Sequence, residues 1–229
     1  LKAAESLYHL YRLDHIVGLF RLWGIPAGKK PAEGHYVPEE RSKWGPQGKA
    51  TLEALLHASS LLPVGEDLGI IPHETRETMH HLWIPGTKVI RWERRWKGDK
   101  SFIPFSEYPL CSMTTVSTHD SNSLSTWWEH HPDEAEAFAA FMGWKFEKKL
   151  SNEQLIEILR ISHHTPSLLH INLLHEYLAL FPDLNKQEEA RINTPGTISN
   201  LNWTYRYPSY LEEIVSHTNL KQLMRELIR

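Results

Sequence analysis

Three short apolar stretches that each end in an acidic residue constrain the fold of this 229-residue chain more than any other feature. The first ends at Asp14, the second at Glu66-Asp67 and the third at His119-Asp120. Each stretch is typical of a short strand that stops at a loop. Because the carboxyl ends of successive parallel strands meet at one mouth of a (β/α)8 barrel, the pattern predicts that the three acidic ends converge there.

The residues around the first two acids also fit purely structural explanations. Glu66 or Asp67 could cap the helix that follows, since acidic residues favour helix starts. Arg12 and Asp14 lie two residues apart, which places both side chains on one face of a strand. There they could form a structural salt bridge, or the guanidinium could hold the carboxylate ionised and oriented for chemistry. These residues alone leave the alternatives open.

Predicted helices alternate with strands in the first half of the chain. Apolar spacing predicts helices over 47–60 and 74–82 and a further strand over 87–92. This alternation favours a parallel sheet with right-handed crossovers. After the third acid the pattern is mostly helical, with helices predicted over 124–130, 133–149, 152–163 and 167–180, then a short strand and turn over 192–197 and helices over 210–216 and 220–228.

The composition excludes several classes of partner. A net charge of −3 with scattered basic residues gives no electrostatic footprint for nucleic acid or an anionic membrane, and no segment approaches the roughly 18 apolar residues of a membrane span. One cysteine, Cys111, and no leading apolar signal indicate a cytoplasmic protein. Adjacent histidines such as His80-His81 point about 100° apart on a helix, so we expect neither a metal nor a cofactor.

Converging carboxylates at strand ends suit the cleavage of glycosidic bonds. In retaining enzymes one carboxylate is the nucleophile and a second donates and then removes a proton, with the two groups about 5 to 5.5 Å apart. A third carboxylate can bind sugar hydroxyls. The nine tryptophans of the chain add suitable surfaces for the apolar faces of sugars, although most aromatic residues are expected in the core.

Several motifs in the right order resemble one enzyme family. Arg12-Leu13-Asp14-His15, Gly65-Glu66-Asp67-Leu68-Gly69 and Ser117-Thr118-His119-Asp120 resemble the second, third and fourth motifs of the α-amylase clan. Four further motifs narrow the resemblance to the 4-α-glucanotransferases, also called amylomaltases or disproportionating enzymes. These motifs are Ile84-Pro85-Gly86-Thr87-Lys88-Val89, Trp127-Trp128, Arg191-Ile192-Asn193-Thr194-Pro195-Gly196-Thr197 and Asn202-Trp203 with Arg206.

The resemblance implies a catalytic role for each acid. Asp14 is expected to be the nucleophile that forms a β-glucosyl ester, and Arg12 beside it is expected to keep it ionised. Glu66 is expected to protonate the departing sugar oxygen and then to activate the acceptor as a base. Asp120 is expected to bind hydroxyls of the distorted sugar. Asp67 is expected to fix the loop rather than to take part in the chemistry.

The resemblance also implies substrate-binding residues around these acids. His119 is expected to hydrogen-bond near the sugar held by Asp120. Asn193 and Pro195 are expected to form part of the floor around the same sugar, and Trp203 belongs to an aromatic loop that can provide an acceptor surface. The expected partners are maltooligosaccharides or α-glucan.

The first motif of the clan is not found in this chain, so the resemblance implies the C-terminal part of a (β/α)8 TIM barrel of α/β class. We expect residues 1–121 to supply barrel strands and helices with long loops, residues 122–184 a mostly helical insertion after the His-Asp strand, and residues 185–229 the last barrel strand and C-terminal helices. A half barrel has open sheet edges, and residues 1–229 alone are expected to be inactive and unstable.

The implied function is the transfer of α-1,4-glucan segments between maltooligosaccharides by a retaining double displacement. Two alternatives remain on sequence grounds. An α-glucan hydrolase of the same clan shares the first half of the reaction, and a non-catalytic glucan-binding domain could retain the aromatic loops. The presence of all three acids argues against the second alternative.

Overall fold

A computed structural model of the chain describes residues 1–185 and 191–229. Within these residues the strands are β1 (Leu10–Leu13), β2 (Leu22–Gly24), β3 (His35–Val37), β4 (Leu62–Gly65), β5 (Gly86–Val89), β6 (Ser112–Thr115) and β7 (Leu169–His170). The α-helices are α1 (Trp44–Ala58), α2 (His73–His81), α3 (Leu124–His130), α4 (Pro132–Phe141), α5 (Asn152–His163), α6 (Leu174–Leu178), α7 (Leu211–Ser216) and α8 (Thr218–Leu227). No helix in these two ranges has the length and apolar character needed to cross a bilayer.

The chain divides into two units, each described by itself. The first unit comprises residues 1–87 and 110–113, and the second comprises 88–109 and 114–229. Strands β5 and β6 each begin in the first unit and end in the second. The expected division at residues 121 and 184 stays a prediction, and residues 186–190 of its third region lie outside the described residues.

Parallel strands organise the first unit. β1 lies beside β4 with Leu13 opposite Gly65, and β4 pairs in parallel with β5 through Gly65 and Gly86. β1 and β4 therefore end at the same level, as the alternation of strands and helices predicted. The α/β class with parallel pairing is confirmed.

Helices α1 and α2 contribute to the core of the first unit. One cluster of its buried apolar side chains comes from the segment after β1, both helices and the segment before β5, and it consists of Ile16, Phe20, Trp44, Leu52, Met79 and Ile84. A close approach at Gly48 brings α1 against the Phe20 ring, because a Cβ at Gly48 would lie 2.2 Å from that ring. The segment between β1 and α1 contains the antiparallel pair β2–β3.

In the second unit, the end of β6 lies between the end of β5 and β7. Ile90 N donates to Thr115 O (3.1 Å), and Ile171 N donates to Thr114 O (3.0 Å). Helices α3, α4 and α5 each supply three buried residues to the large core, in which Trp128 and Phe138 are fully buried. The Trp128 Nε1 hydrogen donates to Glu147 O (2.9 Å), so its polar atom is satisfied in the core.

The helix predicted over 167–180 is wrong. The segment contains β7 and the short helix α6. Asn172 explains the interruption, because its Oδ1 accepts from Val116 N (2.9 Å) while its Nδ2 donates to Ser162 Oγ (2.8 Å). A side chain bonded to distant groups on both its amide atoms outweighs the local apolar spacing.

Two further boundaries differ from those expected. The helix predicted over 133–149 ends at Phe141, because Gly143 adopts φ +72°, a left-handed conformation that terminates helices. The strand predicted over 192–197 is absent from the described residues, and residues 194–197 form a turn closed by the bond from Thr197 N to Thr194 O (3.3 Å).

Candidate active site

The loops that follow β1 and β4 are joined to each other by backbone hydrogen bonds in the first unit. Glu66 N donates to Leu13 O (2.9 Å), and Ile16 N donates to Glu66 O (3.1 Å). These two bonds continue the parallel pairing beyond the strand ends. They place residues 14–16 and residue 66 side by side, so the sequence correctly predicted that the first two acidic strand ends meet.

Asp14 presents its carboxylate to solvent. Its side chain is 57% exposed and forms an ion pair with the Arg12 guanidinium, as the two-residue spacing on a strand predicted. This exposure allows an incoming ligand to reach the carboxylate. The next residue, His15, has φ 47° in the left-handed region, which turns the chain directly after the acid.

Main-chain donors hold both carboxylate oxygens of Glu66. His15 N donates to Oε2 (2.8 Å), and Leu68 N donates to Oε1 (2.7 Å). The first donor is the residue next to Asp14, so the same short turn positions both acids. The loop then reverses at Gly69, whose φ of +83° is strained for a residue with a Cβ.

Asp67 has a different environment from its neighbour. It is buried, with 4% of its surface exposed, and its Oδ1 accepts from Thr87 N (2.9 Å) while its Oδ2 accepts from Arg76 Nε (3.1 Å). Gly86 makes room for this carboxylate, because a Cβ there would lie 2.7 Å from Oδ1. Asp67 therefore joins the end of β4 to β5.

The helix-cap explanation for the acidic pair is wrong. Helix α2 begins after Pro72, and its N-cap position makes no side-chain capping bond. Glu66 and Asp67 instead accept from main-chain atoms within their own loop, the loop after β1 and strand β5. The two adjacent acids thus differ in environment, because Glu66 is partly exposed and Asp67 is buried.

We expect Asp67→Asn to destabilise the protein by about 1.5 to 3 kcal/mol, because a buried acceptor for one main-chain donor loses its charge and its ion pair with Arg76. The measurement is the thermal melting of the full-length protein. Glu77→Gln is the matched control, since Glu77 is exposed on α2 in the same unit. Equal melting temperatures for the two variants would contradict this role of Asp67.

A second set of predicted residues meets in the second unit around Asp120. Asn193 Nδ2 donates to Asp120 Oδ1 (2.6 Å), and Asn193 N donates to His119 O (3.0 Å). His119 Nε2 lies 3.4 Å from the same Asp120 oxygen. Asp120 and His119 are partly exposed, so their polar atoms can also contact a ligand.

Trp203 adds an aromatic surface to this set. Its N–H donates to Ile192 O (2.8 Å), its φ is 63°, and its ring centroid lies 5.0 Å from that of His119. The indole remains 64% exposed and suits the apolar face of a sugar. Pro195 lies in the exposed turn that follows Asn193.

Glu176, for which the sequence indicates no role, fixes the loop carrying His119 and Asp120. Its Oε1 accepts from Ser117 Oγ, and both its oxygens accept from Leu124 N, at 3.2 and 3.1 Å. Burial alone would raise the pKa of Glu176, but the adjacent His175 ring and these donors outweigh burial and lower it. No local pattern identifies this residue, because its partners lie more than 50 positions away.

Arg191, the first residue of the motif that contains Asn193 and Pro195, is a second residue for which the sequence indicates no role. Its Nε donates to Asn193 O (3.0 Å), its Nη2 donates to Asp120 O (3.2 Å), and its Nη1 donates to Asn122 Oδ1. The guanidinium therefore connects the segment of Asn193 to the loop of Asp120.

The sequence matches one family over most of its length. A family profile described as 4-alpha-glucanotransferase matches residues 1–212. A 4-alpha-glucanotransferase of Chlamydia caviae is 49% identical over 219 residues, covering 95% of this chain and 41% of the relative. The enzyme of the same name from Chlamydia pneumoniae is 46% identical and covers 100% of this chain and 43% of the relative. The chain thus spans less than half the length of these relatives.

Solved structures share the fold. An amylomaltase from Streptococcus agalactiae in complex with acarbose superposes with a TM-score of 0.73 at 23% identity, covering 99% of this chain and 42% of the other. An amylomaltase from Corynebacterium glutamicum gives a TM-score of 0.67 at 21% identity over 95% of this chain and 35% of the other.

Proposed function

Since the chain belongs to the 4-alpha-glucanotransferase family, we propose that the protein carrying it transfers α-1,4-glucan segments between maltooligosaccharides by a retaining double displacement. The observation that carries this proposal is the turn at His15, whose N–H holds Glu66 directly beside the exposed Asp14. Two acids positioned by one turn suit a mechanism in which nucleophile and proton donor act on the same glycosidic bond.

In the first step Asp14 attacks C1 of the donor sugar. The bond between C1 and the oxygen of the departing chain breaks, and that oxygen keeps the electron pair and takes a proton from Glu66. The products are a β-glucosyl ester on Asp14 and a shortened glucan with a free 4-hydroxyl. The Arg12 guanidinium forms an ion pair with the Asp14 carboxylate and orients it for the attack.

In the second step Glu66, now ionised, removes the proton from the 4-hydroxyl of an acceptor glucan. That oxygen attacks C1, the ester bond to Asp14 breaks, and the carboxylate of Asp14 is restored. Two inversions at C1 retain the α configuration.

The residues around Asp120 supply sugar binding in this proposal. Asp120 accepts hydrogen bonds from hydroxyls of the sugar whose bond is broken, and Asn193 and His119 orient that carboxylate and reach neighbouring hydroxyls. Pro195 contributes to the floor, and Trp203 provides an exposed aromatic face for an acceptor sugar. We also propose that the parallel strands belong to a (β/α)8 barrel into which the segment with α3 to α5 is inserted.

Labelled glucose separates transfer from hydrolysis, which is the alternative in the same clan. With maltotriose as donor, the full-length protein is expected to move label into longer oligosaccharides while the number of reducing ends stays constant, because each transfer breaks one bond and makes one. If the number of reducing ends rises while the label stays in free glucose, the protein is an α-glucan hydrolase and the proposed transferase activity is refuted.

A further inference from the structure

Arg191 donates hydrogen bonds from all three of its guanidinium nitrogens. Two of the acceptors are the main-chain oxygens of Asp120 and Asn193, and the third is the side-chain oxygen of Asn122. Asp120 and Asn122 lie in the loop after β6, whereas Asn193 lies 73 positions after Asp120. One side chain thus fixes the distance between two loops that are remote in sequence.

The direction of the Asp120 carboxylate depends on that distance. Asn193 Nδ2 donates to Oδ1 at 2.6 Å, and this bond holds only while the main chains of both residues stay in place. Asn193 N also donates to His119 O (3.0 Å), so a shift of the Asn193 segment would disturb both members of the His-Asp pair. Arg191 binds the main-chain oxygens of both Asp120 and Asn193.

We propose that Arg191 is a positioning residue for the reaction, which acts by orienting Asp120 through Asn193; this inference rests on the function proposed above. The guanidinium carries its donors on three separate nitrogens in fixed directions, which suits three acceptors that lie on two segments of the chain. Lysine carries the same charge on a single nitrogen and cannot reproduce the geometry. A positive charge at position 191 is therefore insufficient to hold the three acceptors. The geometry of the guanidinium is required.

The experiment compares Arg191→Lys, Asn193→Ala and the double variant in the full-length protein. We expect Arg191→Lys to lower kcat about 100-fold, because a misplacement of about 1 Å in the site costs that much, with a smaller change in KM. The double variant is expected to lose little more than Asn193→Ala alone, since the two residues act through one contact. Arg160→Lys on α5 is the control, because Arg160 forms an exposed ion pair with Glu157.

Donor consumption per folded molecule, with thermal melting measured alongside, separates positioning from a structural role. An unchanged kcat in Arg191→Lys would overturn the inference, as would losses that multiply in the double variant or a kcat loss fully explained by unfolding. Hydrolysis in place of transfer would change the proposed function but leave this inference intact, because donor consumption reports either reaction. A wild-type protein that consumed no donor would overturn both.

Discussion

Asp14→Asn is expected to lower glucan transfer on the order of 10⁴-fold or more, because the neutral amide cannot form the glucosyl ester. The variant is nearly the same size, and the side chain at position 14 is largely exposed, so the fold should tolerate it. Melting temperatures should therefore stay close to that of the wild type. The measurement is the rate of maltotriose disproportionation by the full-length protein.

Asp133→Asn is the matched control for the Asp14 variant. Asp133 lies exposed in the first turn of α4, where the loss of one charge costs only tenths of a kcal/mol. Its activity is expected to equal that of the wild type. Retention of transfer by Asp14→Asn within tenfold of this control would remove Asp14 from the role of nucleophile.

Glu66→Gln is expected to lower the rate about 10²- to 10⁴-fold, the usual contribution of a positioned acid and base. The amide cannot give a proton to the leaving oxygen. It can also accept from only one of the two main-chain donors, His15 N and Leu68 N, because its nitrogen is itself a donor. Glu77→Gln serves again as the exposed control in the same unit.

A donor with a good leaving group makes the Glu66 test specific. α-Glucosyl fluoride needs no protonation of its leaving group, so Glu66→Gln should still form the ester on Asp14 and accumulate it. Mass spectrometry is expected to find one added glucosyl residue on the peptide that contains Asp14. Loss of turnover with retained glucan binding would support an enzyme, whereas an unchanged rate with maltotriose would remove Glu66 from the role of acid and base.

The pairing of Asp14 with Glu66 could be predicted because it depends on local order. Each acid follows a short apolar strand, and parallel strands in register end together, so residue type and spacing were sufficient. The separation of Glu66 from Asp67 was expected from the family resemblance. The structure adds a physical reason for this difference. The Asp67 carboxylate occupies space beside position 86 that only a glycine leaves free.

The roles of Arg191 and Glu176 could not be predicted, because they depend on contacts between residues that are far apart in the sequence. Arg191 contacts Asp120, 71 residues away, and Glu176 contacts Ser117, 59 residues away, and a single sequence contains no signal that a given charged side chain meets a given distant loop. The prediction of a helix over 167–180 was wrong for a similar reason. Asn172 contacts residues that are remote in sequence, and the apolar periodicity contains no information about such contacts.

The two N–H groups that hold Glu66 belong to the main chain, and every amino acid except proline supplies such a group. Substitution of neighbouring side chains therefore leaves these donors in place, provided the turn keeps its shape. What evolution or an engineer can alter is the path of the backbone, through the left-handed conformations at His15 and Gly69. The position of Glu66 therefore depends on the backbone conformation of this loop. Side chains around it can be substituted without loss of the two donors, as long as that conformation is kept.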